Sequence, residues 1–191
     1  MKKLSRVEQL KAELKIATKI EKTNKVFNSL SKAEKRVFIA KDVLESLKSN
    51  RYQAKHLTYV NAYNKLKNET FNQDSINRDD FSCKVCALGA IFSSKVKIAN
   101  DFECQIDEYG LVDLYGSELN GYDIRDNLEK YFSRTQLKSI ENAFEGNDCD
   151  VEEGYNLNKK YKEFFNKYNN AEERLTAIMK NIISNKGLFK I

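Results

Sequence analysis

Cys83 and Cys86, spaced C-x-x-C, are the first residues in this chain whose types and spacing can do chemistry. Such a pair can serve a zinc ion, a redox couple or a nucleophilic thiolate. Each role makes a demand on the rest of the sequence. A structural zinc site needs four ligands, and Cys104, Cys149 and His56 complete one only by converging from distant points. A thioredoxin-like couple stands beside a cis-proline, and this chain contains no proline. A cysteine nucleophile needs a base, and His56 is the one imidazole among 191 residues. The remaining reading makes the cysteines small buried hydrophobes. The surrounding residues favour it. On a helix, Cys83, Cys86, Ala87, Ala90 and Ser94 form a stripe of small side chains, and Val85, Leu88, Phe92 and Val96 form a bulky one. A helix apolar on two sides is buried and central, and Gly89 within it lets another backbone approach.

Other candidates are weaker. A lone histidine such as His56 is more often structural than catalytic. Asp148, Asp150, Glu152 and Glu153 suggest a calcium loop. Counted from Asp148, however, Glu153 stands where that loop needs glycine and Lys159 where it needs glutamate, so the segment reads as a solvated loop. Tyr52, Tyr59 and Tyr63 alternate with Arg51, Lys55, Lys65 and Lys67, a mixture that can stack bases and hold phosphates. A half-buried strand explains the same tyrosines. Neither standard phosphate-cradling loop, G-x-x-x-x-G-K-[ST] or G-x-G-x-x-G, occurs. The reading therefore assigns no catalytic, cofactor-binding or metal-ligating residue, and expects a protein that is not an enzyme.

Several elements must position these residues. Ser31 and Glu34 form a capping box for a helix over 31–49, with Val37, Ala40, Leu44 and Leu47 on one face. Residues 4–29 predict a long amphipathic helix whose stripe is Val7, Leu10, Leu14 and Ala17. Residues 56–63 predict a short strand and 64–80 a loop or weak helix. Ser82 is the expected cap of a buried central helix over 82–98. Residues 102–115 predict a hairpin turning near Gly110. Helices follow over 122–132, over 133–145 with a second box from Ser133 and Gln136, over 157–168, and over 170–186 with Asn170 and Glu173 as its cap. Gly146 and Gly187 stand where helices stop. The expected fold is mainly α, a multi-helix domain over 31–191 with a small β element. Helices 31–49, 122–145 and 170–186 are expected around the central one. Residues 1–30 form a basic helix, either packed or an arm.

Charge is uneven. Residues 1–50 carry 13 Lys and Arg against 6 Asp and Glu, whereas residues 101–154 carry 4 against 15. The whole chain is +5. Two basic ends thus flank an acidic middle, and basic clusters of this kind attract nucleic acid or acidic partners. No run approaches the roughly 20 apolar residues of a membrane span. The first 15 residues lack the apolar core of a signal peptide. These features predict a reduced, cytoplasmic setting without a membrane role.

The segments CKVCALGAIFSS, YFSRTQLKSIENAFEG and AEERLTAIMKNIISNKGLF carry a resemblance. Together with KRVFIAKDVLESL upstream they resemble a group of uncharacterised proteins encoded in bacteria and their phages, sharing a Cys-Ala-x-Gly-Ala helix and a C-terminal R-L-x-A-I-M-x-N-I-I helix. The resemblance spans roughly residues 35–190. It implies a phage- or mobile-element-associated protein of the bacterial cell and implies no activity. The functional expectation is a non-enzymatic interaction or regulatory module with a protein partner or self-association. Nucleic-acid binding by the basic ends is the alternative. A Cys-dependent enzyme or zinc-stabilised domain comes third.

Overall fold

The computed structural model describes residues 6–62, 69–106, 111–112, 119, 121–146 and 159–191; the side chains of 7–10, 12–13, 112 and 121–122 are outside that description. The chain runs α1 (Arg6–Ser29), α2 (Lys32–Lys48), β1 (Tyr52–Ala54), β2 (Val60–Asn61), β3 (Thr70–Phe71) and α3 (Gln73–Asn77). It continues with β4 (Cys83–Val85), α4 (Ala87–Ala99), β5 (Cys104–Ile106), β6 (Leu111–Val112), α5 (Gly121–Leu128), α6 (Arg134–Glu145), α7 (Lys159–Asn166) and α8 (Ala171–Ser184). The fold is mainly helical with two small sheets, as the sequence led us to expect.

α4 is the central element. Every residue from Ala87 to Val96 is buried, and α1, α2, α3, α5 and α6 pack around it. α8 packs on α2 and α6. The first sheet has the order β1-β4-β2, with β4 parallel to β1 and antiparallel to β2. The second has the order β3-β5-β6 and is antiparallel throughout. The hairpin expected over 102–115 is β5 and β6, pairing Ile106 with Leu111; its turn at Gly110 lies outside the described residues.

The helix expected over 122–132 ends at Leu128, and two boundaries that bear on the candidate residues also differ from the sequence reading. The central helix begins at Ala87, not at 82, and its cap is Cys86 rather than Ser82. Cys83 to Val85 form a strand instead, with Cys83 and Val85 buried and Lys84 exposed. That alternation is the period of a strand. The second difference is in the strand expected over 56–63, which among the described residues is only Val60 and Asn61. His56 and Leu57 form a turn, and Leu57 adopts a left-handed φ of 53°.

Capping follows local chemistry closely. Ser31 and Glu34 close both hydrogen bonds of their box. Ser133 accepts from the Gln136 amide, but the Gln136 side chain does not reach back. It grips the backbone of Phe189 instead, accepting from its N–H at 2.7 Å and donating to its carbonyl at 3.1 Å. Gly146 ends α6 with φ of 70°. Arg36 on α2 spans two other ends: its Nε donates to the Gly187 carbonyl at 2.6 Å and its Nη1 to the Tyr131 carbonyl at 2.7 Å.

Gly89 shows why the small residues of α4 matter. A Cβ there would lie 1.5 Å from the carbonyl oxygen of Tyr59. The helix and the segment before β2 therefore meet backbone to backbone, as its place among small residues suggested.

Candidate functional site

The cysteines occupy different elements. Cys83 lies in β4, Cys86 caps α4 and Cys104 lies in β5; all three are free and buried. Cys149 lies outside the described residues. Burial pushes the Cys83 and Cys86 thiols far above their ordinary value, and the Cys104 thiol up to about 12. For Cys86 the nearby carboxylates of Glu145 and Glu141 push the same way. A thiol must ionise to attack or to bind metal, and these sites oppose ionisation. Cys86 Sγ accepts weakly from the Gly89 amide at 3.4 Å, which is the ordinary work of a helix cap. Among the described residues no cluster of histidine, cysteine or carboxylate can hold a metal ion.

His56 sits in a polar network. Its Nδ1 is 3.1 Å from Glu145 Oε2, and its Nε2 is 2.8 Å from Arg174 Nη1. Its ring stacks on Phe144 with centroids 5.0 Å apart. Glu145, on the last turn of α6, also accepts from the backbone N–H of Leu57 at 3.1 Å. Burial raises the Glu145 carboxyl above its usual range, while the Leu57 amide and His56 pull it down. Arg174, on the first turn of α8, donates to the carbonyls of Phe144, Phe165 and Tyr168 and lies 3.6 Å over the Phe165 ring. One turn earlier on α6, Glu141 accepts from Tyr59 at 2.8 Å and from Arg125 through Nε at 3.1 Å. Both nitrogens of His56 are engaged, so the ring offers no free lone pair for proton abstraction. The network joins the 55–59 turn to α6 and α8.

The sequence reading did not single out Glu141, Glu145, Arg125 or Arg174. A signal was available. Glu141 and Glu145 stand four apart beside the apolar stripe of Leu137, Ile140 and Phe144, where a charge must find a partner. The partners lie on other elements, and no local pattern names them.

Among the described residues the tyrosine and lysine mixture does not form a base-stacking surface. Tyr52 is buried against Ser94, Tyr59 is committed to Glu141, and Arg51 Nη1 donates to the carbonyls of Ile76 and Arg78. Tyr63, Lys65 and Lys67 lie outside the described residues, as does the acidic loop at 148–153.

The remaining surface feature is α1. Phe27 is fully buried and meets Phe38 and Tyr131 edge-on at 5.8 and 5.6 Å. This large side chain sets the rotation of the helix. Thr23 and Ile20 precede it at helical spacing and are half-buried on the same side, and Ile16, one turn further back, is 44% exposed. The described half of the stripe expected from the sequence, Leu14 and Ala17, therefore does not pack. Leu14 is 69% exposed and Ala17 is exposed; the side chains of Val7 and Leu10 lie outside the description. Lys11, Lys15, Lys22 and Lys25 are exposed around Leu14, with Lys19 at the margin and Val26 51% exposed. Among the described residues none of these five lysines pairs with a carboxylate. No described helix is long and apolar enough to cross a membrane.

A scan against protein-family models and searches of curated proteins and of solved structures find no match for this chain.

Proposed function

We propose that the chain is a non-enzymatic interaction module whose outer α1 face docks on an acidic, partly apolar surface of a partner protein. The observation that supports this reading is Leu14, 69% exposed within a field of lysines. A leucine in water contributes nothing to the fold, and a basic amphipathic helix with an apolar seam fits an acidic amphipathic counterpart. The buried thiols and the doubly engaged His56 weigh against a Cys-dependent enzyme. A place among proteins of bacteria and their phages rests on the sequence resemblance over roughly residues 35–190 alone.

Self-association through the same face would set lysine against lysine, which disfavours it. Nucleic acid is the second reading, because the lysine row also suits a polyanion. Leu14 separates the two. Leu14→Glu removes the apolar contact, whereas Lys11→Gln, Lys15→Gln and Lys22→Gln together remove charge. The module reading predicts that either set abolishes capture of a partner identified by mass spectrometry and rebound in pure form. Retention of a mixed-sequence duplex or single strand that survives Leu14→Glu, and falls with salt at a slope of roughly −3 to −5, would favour nucleic acid instead. A truncation for this purpose must stop before Ile16, because Phe27 belongs to the core.

A further inference from the structure

Between the inward side of α1 and the face of α2 lies a cleft of about 470 Å³. Its α2 wall carries Asp42 and Ser46, four residues apart and hence on one side of the helix. Ser46 is 1% exposed. Its Oγ and Asp42 Oδ2 are buried and have no hydrogen-bond partner among the described residues. The other carboxylate oxygen of Asp42 accepts from Lys97 Nζ at 2.7 Å. Buried oxygens are normally matched, so these two define what an occupant has to bring: a hydrogen-bond donor, and for a carboxylate a charged one.

The other walls narrow the chemistry. Ile16 and Ile20 of α1, Phe38 of α2 and Ile98 of α4 make an apolar lining. Lys19, Lys41, Arg51, Glu45 and Asp79 also border the cleft, so it offers both signs of charge. The Arg51 guanidinium is held in place through Nη1 by two backbone carbonyls, so it is pre-set as an anion clamp. A divalent ion would need several oxygens, and Lys97 already stands against the same carboxylate. A polyamine would meet Lys19, Lys41, Arg51 and Lys97, four cations against the carboxylates of Asp42, Glu45 and Asp79. A simple anion would leave both orphaned oxygens unmatched.

We propose that this cleft binds a small aliphatic zwitterion of the α-amino-acid class. Its ammonium donates to Asp42 Oδ2 and Ser46 Oγ, which are covered in this structure and turn toward it on binding. Its carboxylate faces Arg51 and Lys41, and its side chain lies against Ile16, Ile20, Phe38 and Ile98. Leu14 stays outside the site, although Lys19 borders both the cleft and the docking face.

The test is saturation-transfer NMR on the full chain with three probes at millimolar concentration: L-leucine, isoamylamine, which lacks the carboxylate, and isocaproate, which lacks the ammonium. L-leucine is expected to bind saturably, with both analogues at least about tenfold weaker. Ser46→Ala removes an oxygen bonded to nothing among the described residues; it should keep the circular dichroism of the parent and weaken L-leucine about tenfold. Leu14→Glu should leave L-leucine binding intact. Absence of saturable transfer from L-leucine overturns the proposal. So does isoamylamine binding as well as L-leucine, or a folded Ser46→Ala variant that binds L-leucine unchanged.

Discussion

Arg174 Nη1 stands 2.8 Å from His56 Nε2, across 118 residues of chain, and thereby fixes where the imidazole carries its proton. An arginine has no acceptor. Nε2 must accept, so the neutral ring holds its proton on Nδ1, pointing at Glu145 3.1 Å away. Because His56 is the sole histidine, long-range ¹⁵N–¹H spectra should show one imidazole, protonated at Nδ1 and bare at Nε2. Arg174→Met should shift it toward the Nε2–H form. A wild-type ring protonated at Nε2 contradicts the network.

Glu145 makes stability depend on pH with a definite sign. Burial raises its carboxyl above the ordinary value of 4.5. The folded state therefore holds a proton that the unfolded state has lost, so this contribution is complete below about pH 4.5 and disappears as pH rises through the folded value. Urea unfolding of the wild type and of Glu145→Gln, from about pH 4 to about pH 8, should show the wild type losing stability relative to the variant as pH increases. A difference that is flat with pH, or of opposite slope, counts against this environment.

Leu57 adopts φ of 53° with 83% of its surface exposed. A branched side chain costs roughly 1–2 kcal/mol in that region, and an exposed one regains little. Leu57→Gly should raise stability by about 1 kcal/mol in urea titration, the flexibility of glycine in the unfolded chain taking back part of the gain. A loss would mean that the leucine makes a contact the geometry does not show.

Gly89→Ala should be among the most damaging single changes. Its Cβ would enter the Tyr59 carbonyl group, which is backbone and cannot rotate aside. The expected result is a loss of about 3 kcal/mol or more, or no soluble protein. An alanine variant within about 1 kcal/mol of the parent would show that α4 and the Tyr59 segment are further apart than described.

Thiol reactivity should be sparse. Three of the four cysteines are buried, with ionisation opposed at each. Ellman's reagent should reach at most one thiol in the native state and all four in denaturant. Rapid reaction of two or more would reopen the chemistry of the C-x-x-C pair.

The helices with strong local signals were legible. The α2 box, the Gly146 stop and the apolar period of α8 all depend on residues three or four apart, and so does a helix. What the sequence concealed was set from a distance. The 82–86 segment looks like the start of a helix, but β1 and β2 claim it on either side, and Cys86 N–H goes to the Thr58 carbonyl at 2.5 Å. Residues 56–59 have strand-like composition, yet Glu145 from α6 holds the Leu57 N–H and bends the backbone. Gln136 has the spacing of a capping box and bonds Phe189 instead. Leu14 lies on the outer side of α1 although it outweighs Thr23 in any hydropathy pattern. Phe27, a single residue near the helix end, decided the rotation. The candidate site was partly visible in its lysines and invisible in which way they face.

The two carbonyls held by Arg36 belong to residues just past the ends of α5 and α8. Carbonyls at helix ends have no partner within the helix, and separate helices normally fray separately. Here one side chain on a third helix serves both. Fraying at either end disturbs the guanidinium that stabilises the other, so the two ends open together or not at all. In hydrogen exchange, the last turns of α5 and α8 should behave as one unit although Tyr131 and Gly187 stand 56 residues apart.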